Sequence, residues 1–119
     1  MTMRTLLVED DPFIALDLAQ QLNEAGFDVV GPASRSADAL KLIAAPGCDV
    51  AVLDVNLGVE TSEAVAVKLT QLGVPFITLS GYSAEQHPPA FKAAPLLAKP
   101  VKFNLLVQEL RRLPRRTHA

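Results

Sequence analysis

Five polar side chains each follow or close a short apolar run: Glu9 and Asp10 after residues 6–8, Asp54 after 50–53, Ser80 after 75–79 and Lys99 after 96–98. Carboxylates, a hydroxyl and one ammonium are the parts of a phosphate-handling site. Three carboxylates brought together repel and raise one another's pKa unless a cation sits among them. With oxygen donors and neither cysteine nor clustered histidine, the cation that suits them is a hard one such as Mg²⁺. The backbone carbonyl of Asn56, two residues past Asp54, adds a further oxygen. A carboxylate such as Asp54 can carry a phosphoryl group as an acyl phosphate. The metal and Lys99 would then neutralise charge on the transferring group while Ser80 offers a hydroxyl donor.

These residues act together only if the chain brings them to one place, and its pattern says how. Asp11-Pro12 is a helix start, with Asp as N-cap and Pro in the first turn. Ile14, Leu18, Leu22 and Ala25 then mark one helical face, ended by Gly26. A second strand is predicted at 27–30, closed by Gly31-Pro32, followed by a helix capped by Ser36 and carrying Leu40, Ile43 and Ala44. A third strand covers 50–53. Thr61 or Ser62 caps the next helix through Val65, Leu69 and Leu72, and Gly73 precedes a fourth strand at 75–79. A fifth strand at 96–98 leads into a last helix with Phe103, Leu106, Leu110 and Leu113 at three- and four-residue spacing, broken at Pro114.

Strand and helix alternate five times, and the strands are continuous apolar runs, as expected when both sheet faces are covered. The predicted fold is α/β, a doubly wound five-stranded parallel sheet in the flavodoxin-like order 2-1-3-4-5 with helices on both faces. That order puts the first and third strands side by side, with the ligand crevice above their C-terminal ends. Singly, each of the five polar residues is ordinary strand-end chemistry. Their joint placement at one sheet edge makes them a site.

Composition bounds the rest. The chain of 119 residues fits one domain, read as 1–119 without an output domain, so that any output must use its own surface. Half the residues are hydrophobic, and the net charge of -2 gives no basic field for general nucleic-acid binding. Residues 1–8 meet Glu9, Asp10 and Asp11 too soon for a signal-peptide core or a membrane span, and cytoplasmic residence is the expectation. Cys48, the sole cysteine, reads as a small buried hydrophobe beside a strand. His87 and His118 lack a second ligand at metal or triad spacing and read as surface residues. Arg111, Arg112, Arg115 and Arg116 read as a solvated helix end.

On the segments Leu7-Val8-Glu9-Asp10-Asp11, Leu53-Asp54-Val55-Asn56, Thr78-Leu79-Ser80-Gly81 and Ala98-Lys99-Pro100 the sequence resembles the response-regulator receiver family over essentially its whole length. The resemblance implies that Asp54 is the phosphoacceptor, Asp10 a direct Mg²⁺ ligand, Glu9 a ligand through water, and the Asn56 carbonyl a further ligand. It implies that Ser80 moves toward the phosphoryl group and that Lys99 is its cationic partner. Asp11 is then a helix cap and not a ligand. Implied partners are a sensor histidine kinase or a histidine phosphotransfer protein and a downstream protein target, with no nucleic acid or membrane, in a monomer or a phosphorylation-dependent homodimer. Asp54-Val55-Asn56-Leu57-Gly58 with Ser80-Gly81-Tyr82 is similar to stand-alone receivers that work with HWE-type histidine kinases.

Two departures stand out. The aromatic that many receivers place three residues before the lysine is Leu96 here, which leaves Tyr82 either as a substitute or as a half-buried aromatic with its hydroxyl in water, and Pro88, Pro89 and Pro95 interrupt the fourth helix. Rival readings are a receiver-like interaction module that is never phosphorylated and a small aspartyl-phosphate phosphatase of the haloacid-dehalogenase type. The second rival resembles Asp-x-Asp, and here the second position is Asn56. A nucleotide-binding domain is weaker still, since no Gly-rich loop follows the first strand.

Overall fold

The computed structural model describes residues 2–81, 87–92 and 94–114. In chain order these form β1 (Arg4–Val8), α1 (Pro12–Glu24), β2 (Asp28–Ala33), α2 (Ser36–Ala44), β3 (Val50–Asp54), α3 (Glu63–Gln71), β4 (Phe76–Ser80), a single 3-10 turn (Pro89–Phe91), β5 (Leu96–Ala98) and α4 (Phe103–Arg112). All strand pairs are parallel, in the order β2-β1-β3-β4-β5. This is the doubly wound, flavodoxin-like arrangement that the alternating pattern predicts.

Each strand sends alternate side chains to opposite faces, and each face is closed by helices. Leu6, Val8, Ala51, Leu53 and Phe76 pack with Ala39, Ile43, Val65, Leu69 and Phe91 on the face covered by α2 and α3. Leu7, Val50, Val52, Ile77 and Leu79 pack with Leu18, Leu22, Leu106 and Leu110 on the face covered by α1 and α4. Because β1, β3 and β4 are buried on both sides, only their ends can present polar groups to water. Cys48 is buried beside β3 as expected. Among the described residues no helix is long and apolar enough to cross a membrane.

Local details correct four expectations. The second strand does not stop at Gly31-Pro32 but runs through it to Ala33. It lies at the sheet edge, paired with β1 alone, so the missing proline N–H costs no ladder bond. Gly31 is required there: its φ is +103°, and a Cβ would lie 2.8 Å from the Ala33 nitrogen and 3.0 Å from the Leu7 oxygen. Ser36 does not cap α2. Its N–H donates to a Glu60 carboxylate oxygen at 2.7 Å and its hydroxyl to the Thr61 carbonyl, so the helix start is satisfied by the loop after β3.

Ser62 stands at the N-cap of α3, but its hydroxyl donates to the Asp54 carbonyl at 2.7 Å, and Thr61 Oγ1 accepts from the Glu63 N–H instead. The carbonyl at the end of β3 thereby gains a partner. Ile14 is exposed and does not join the α1 core face, which Ala15, Leu18, Ala19 and Leu22 form. The fourth-helix region is irregular among the described residues, as the prolines predict, with the Pro89–Phe91 turn held by the buried Phe91. Arg111 does more than end a helix in solvent: it donates to the Ala25 carbonyl and lies 5.8 Å from the Phe27 ring centre. Tyr82, Arg115, Arg116 and His118 fall outside the described residues.

Candidate functional site

The C-terminal ends of β1, β3, β4 and β5 meet around a pocket of about 350 Å³ lined by Glu9, Asp10, Asp54, Asn56, Ser80 and Lys99, together with Asp11, Ile14, Gly58 and Gly81. Every predicted site residue is therefore on one rim. Pairing of Leu53 with Val8 and of Leu79 with Asp54 brings the first three ends level. The Lys99 N–H donates to the Ser80 carbonyl at 3.0 Å, which carries the β4–β5 ladder one residue further and sets the lysine beside β4.

Glu9 is held by its neighbours on both sides. Its N–H donates to the Ala33 carbonyl of β2, and one carboxylate oxygen accepts from the Asp11 N–H. Asp11 Oδ1 in turn accepts from the N–H groups of Phe13 and Ile14, so it is a helix cap as the sequence implies. Asp10, between them, is exposed and faces the pocket.

Asp54 is buried, at 2 % exposure. Its Oδ1 accepts from the Asn56 N–H at 3.3 Å and its Oδ2 from Lys99 Nζ at 2.7 Å, and the same ammonium reaches Glu9 Oε2 at 3.3 Å. The loop that places Asn56 is tied back by Ser62 N–H to Val55, Leu57 N–H to Glu60 and an antiparallel bridge between Asn56 and Thr61.

Electrostatics follow from this packing. Burial lifts the Glu9 carboxyl to about 7, with the charge of Asp54 adding to the shift, against the Asp11 N–H and Lys99, which oppose it. Burial alone would pull Lys99 down, but its hydrogen bond to Asp54 and the two facing carboxylates override that and hold the ammonium above its usual value. Carboxylate oxygens of Glu9, Asp10 and Asp54 lie within 4.8 Å of one another. Lys99 is one positive charge against three acidic groups, and the donors are oxygens only. The residues present fit a hard divalent cation, with the exposed Asp10 on the side open to solvent.

Ser80 and His87 bring the main correction. His87 is not a surface residue: it is 8 % exposed, and its Nε2 lies 2.8 Å from Ser80 Oγ. Its ring meets Phe91 edge-on, with centres 6.3 Å apart and planes at 74°. Metal or triad spacing passes over this histidine, because its partner is a hydroxyl seven residues earlier. The signal available was that a polar ring in a proline-broken segment follows a strand-end serine at a distance the chain can double back over.

The model of the response regulator receiver domain matches residues 5–111. The transcriptional regulatory protein PdtaR of Mycobacterium tuberculosis is 30 % identical over 84 residues, 67 % of this chain and 40 % of that protein. The phyllosphere-induced regulator PhyR of Methylorubrum extorquens is 32 % identical over 108 residues, 84 % of this chain and 39 % of that protein. The chain thus spans about two fifths of the length of these curated relatives. Among solved structures, SdrG from Sphingomonas melonis Fr1 superposes with a TM-score of 0.78 at 33 % identity, covering 92 % of this chain and 94 % of SdrG.

Proposed function

Because the chain belongs to the response regulator receiver domain family, we propose that it is a phosphoacceptor switch of two-component signalling that takes a phosphoryl group onto Asp54. The observation that carries this reading is the setting of Asp54: a buried carboxylate with an ammonium at 2.7 Å, at the floor of an open acidic pocket. One Asp54 oxygen attacks phosphorus and forms an acyl phosphate while the bond from phosphorus to the donor breaks. The electron pair of that bond leaves with the donor, an imidazole nitrogen of a histidine kinase or phosphotransfer protein. Lys99 moves its charge toward the phosphoryl oxygens, and the Ser80 hydroxyl donates to one of them.

Glu9, Asp10, Asp54 and the Asn56 backbone carbonyl would hold Mg²⁺, which when bound supplies the positive charge that offsets an incoming phosphate. Beside the pocket, the exposed side chains of Phe13, Ile14 and Leu16 on α1 offer an apolar surface to a kinase or phosphotransfer protein whose histidine must reach Asp54. The motif around Asp54 and Ser80 favours an HWE-type kinase as donor, working in the cytoplasm. Charged with phosphate, the surface binds a downstream protein.

Incubation with acetyl phosphate and Mg²⁺, followed by intact mass and peptide mapping, tests the reading. One phosphoryl group on Asp54 is expected, none in excess chelator and none in Asp54→Asn. Label on Ser80 or a histidine would refute it, and steady release of inorganic phosphate at many turnovers would favour a phosphatase.

A further inference from the structure

Ser80 has the strand parity of Phe76 and Thr78, which puts it toward the face covered by α3 and the Pro89–Phe91 turn. Ser80 lines the acidic pocket, and its hydroxyl lies 2.8 Å from Nε2 of His87. The imidazole is buried and rests on Phe91, itself 2 % exposed in the core. A serine hydroxyl owns one proton. If it is given to His87 it is not available to a phosphoryl oxygen on Asp54.

We propose that His87 is the retaining partner of Ser80: it accepts a hydrogen bond from the Ser80 hydroxyl in the unphosphorylated chain and competes for that hydrogen bond with the phosphoryl group. When Ser80 turns to Asp54, His87 loses its partner, and the change passes through the ring contact to Phe91 and the Pro89–Phe91 turn. Acceptance at Nε2 requires the neutral ring with its proton on Nδ1. His87 thus offers what Leu96, an aliphatic side chain with no polar atom, does not: a buried ring that both packs and meets the hydroxyl. It is a positioning residue, acting through Ser80, and the inference rests on the phosphoacceptor reading of Asp54.

The full chain is titrated with beryllofluoride in Mg²⁺ as wild type, His87→Phe, His87→Gln, Ser80→Ala and the Ser80→Ala/His87→Phe double variant. His87→Phe keeps a buried ring against Phe91 but accepts no proton. It is expected to bind the mimic about 2- to 10-fold tighter, the worth of one neutral hydrogen bond. His87→Gln, whose side-chain oxygen reaches about as far as Nε2, is expected to return to the wild-type affinity. In the Ser80→Ala background His87→Phe is expected to have no effect. On the wild type, ¹⁵N spectra of the His87 ring are expected to show Nε2 as acceptor without the mimic and to change when it binds. This readout needs no variant to fold.

Equal or weaker binding by His87→Phe, tightening that persists without the Ser80 hydroxyl, or an unchanged ring spectrum would each overturn the inference while Asp54 still binds the mimic. Failure of the wild type to bind the mimic at all would overturn both, and would locate the fault in the phosphoacceptor reading.

Discussion

Asp54 and Ser80 end neighbouring strands of one sheet, and their side chains are satisfied by opposite means. Asp54 is held by charge: Lys99, from the end of β5, lies against it and against Glu9, and the Asn56 N–H adds a bond from the next loop. Ser80 meets the imidazole of His87, and among the described residues that ring lies edge-on to Phe91. The first arrangement is built from strand ends, whose positions the sheet order dictates. The second depends on where His87, just before Pro88 and Pro89, comes to pack. A charged cluster on a rigid edge suits a step in which charge must be stabilised, and a neutral hydrogen bond of modest worth suits a group that must change partner.

Lys99→Met is the harshest test of the charged half of this contrast. Phosphorylation by acetyl phosphate is expected to slow about 100-fold, the loss typical of removing one preorganised electrostatic donor. Without metal the variant is also expected to lose roughly 1–3 kcal/mol of stability, because Asp54 and Glu9 are left buried with no ammonium between them. The figure is set below that for a fully buried pair since the Lys99 side chain is 28 % exposed. Time-resolved intact mass and thermal melts measure the two effects. A labelling rate within threefold of wild type would mean that Lys99 does not organise this corner.

Mg²⁺ sharpens the same half. At about a hundredfold excess over its dissociation constant, linkage predicts roughly 2.7 kcal/mol of stabilisation. In Asp10→Asn that gain is expected to vanish, because the carboxylate charge that Asp10 offers the cation is lost. An equal shift in melting temperature for both proteins would remove Asp10 from the ligand set. The metal-free corner is also less repulsive than three bare carboxylates, since Lys99 already offsets part of their charge.

A smaller effect is expected from Glu9. Its carboxyl is raised in the fold from the ordinary 4.5 to about 7 by burial, so between those values the folded chain binds more protons than the unfolded one. Stability from this group is therefore lost as pH rises through that window, on the order of 3 kcal/mol in the metal-free protein. Glu9→Gln should be less sensitive to pH across the same range, and the difference between the two melting curves isolates the term from the other carboxylates. Identical curves would show that Glu9 is not buried as a neutral acid.

Periodicity and punctuation in the sequence determined the alternation of elements, the two-faced burial of the strands, and through them the sheet order. Five polar residues at the ends of apolar runs had to reach the same rim once that order held, because a parallel doubly wound sheet gathers its C-terminal ends. Asp11-Pro12 was legible for the same kind of reason: an N-cap acts on backbone groups two and three residues away and needs nothing from the rest of the chain.

What escaped the sequence depends on partners far along the chain. Ser36 could cap a helix by its type, yet Glu60 reaches its N–H from a loop 24 residues on. Gly31-Pro32 stops a strand in an isolated peptide, whereas at a sheet edge the strand continues through it. His87 carries no motif, and its ring meets Ser80 on one hand and the core residue Phe91 on the other, contacts that no spacing in the sequence foretells. Local chemistry and repeat distance are written in the order of residues. Which donor meets which acceptor across a loop is decided when burial leaves each polar group one place to find a partner.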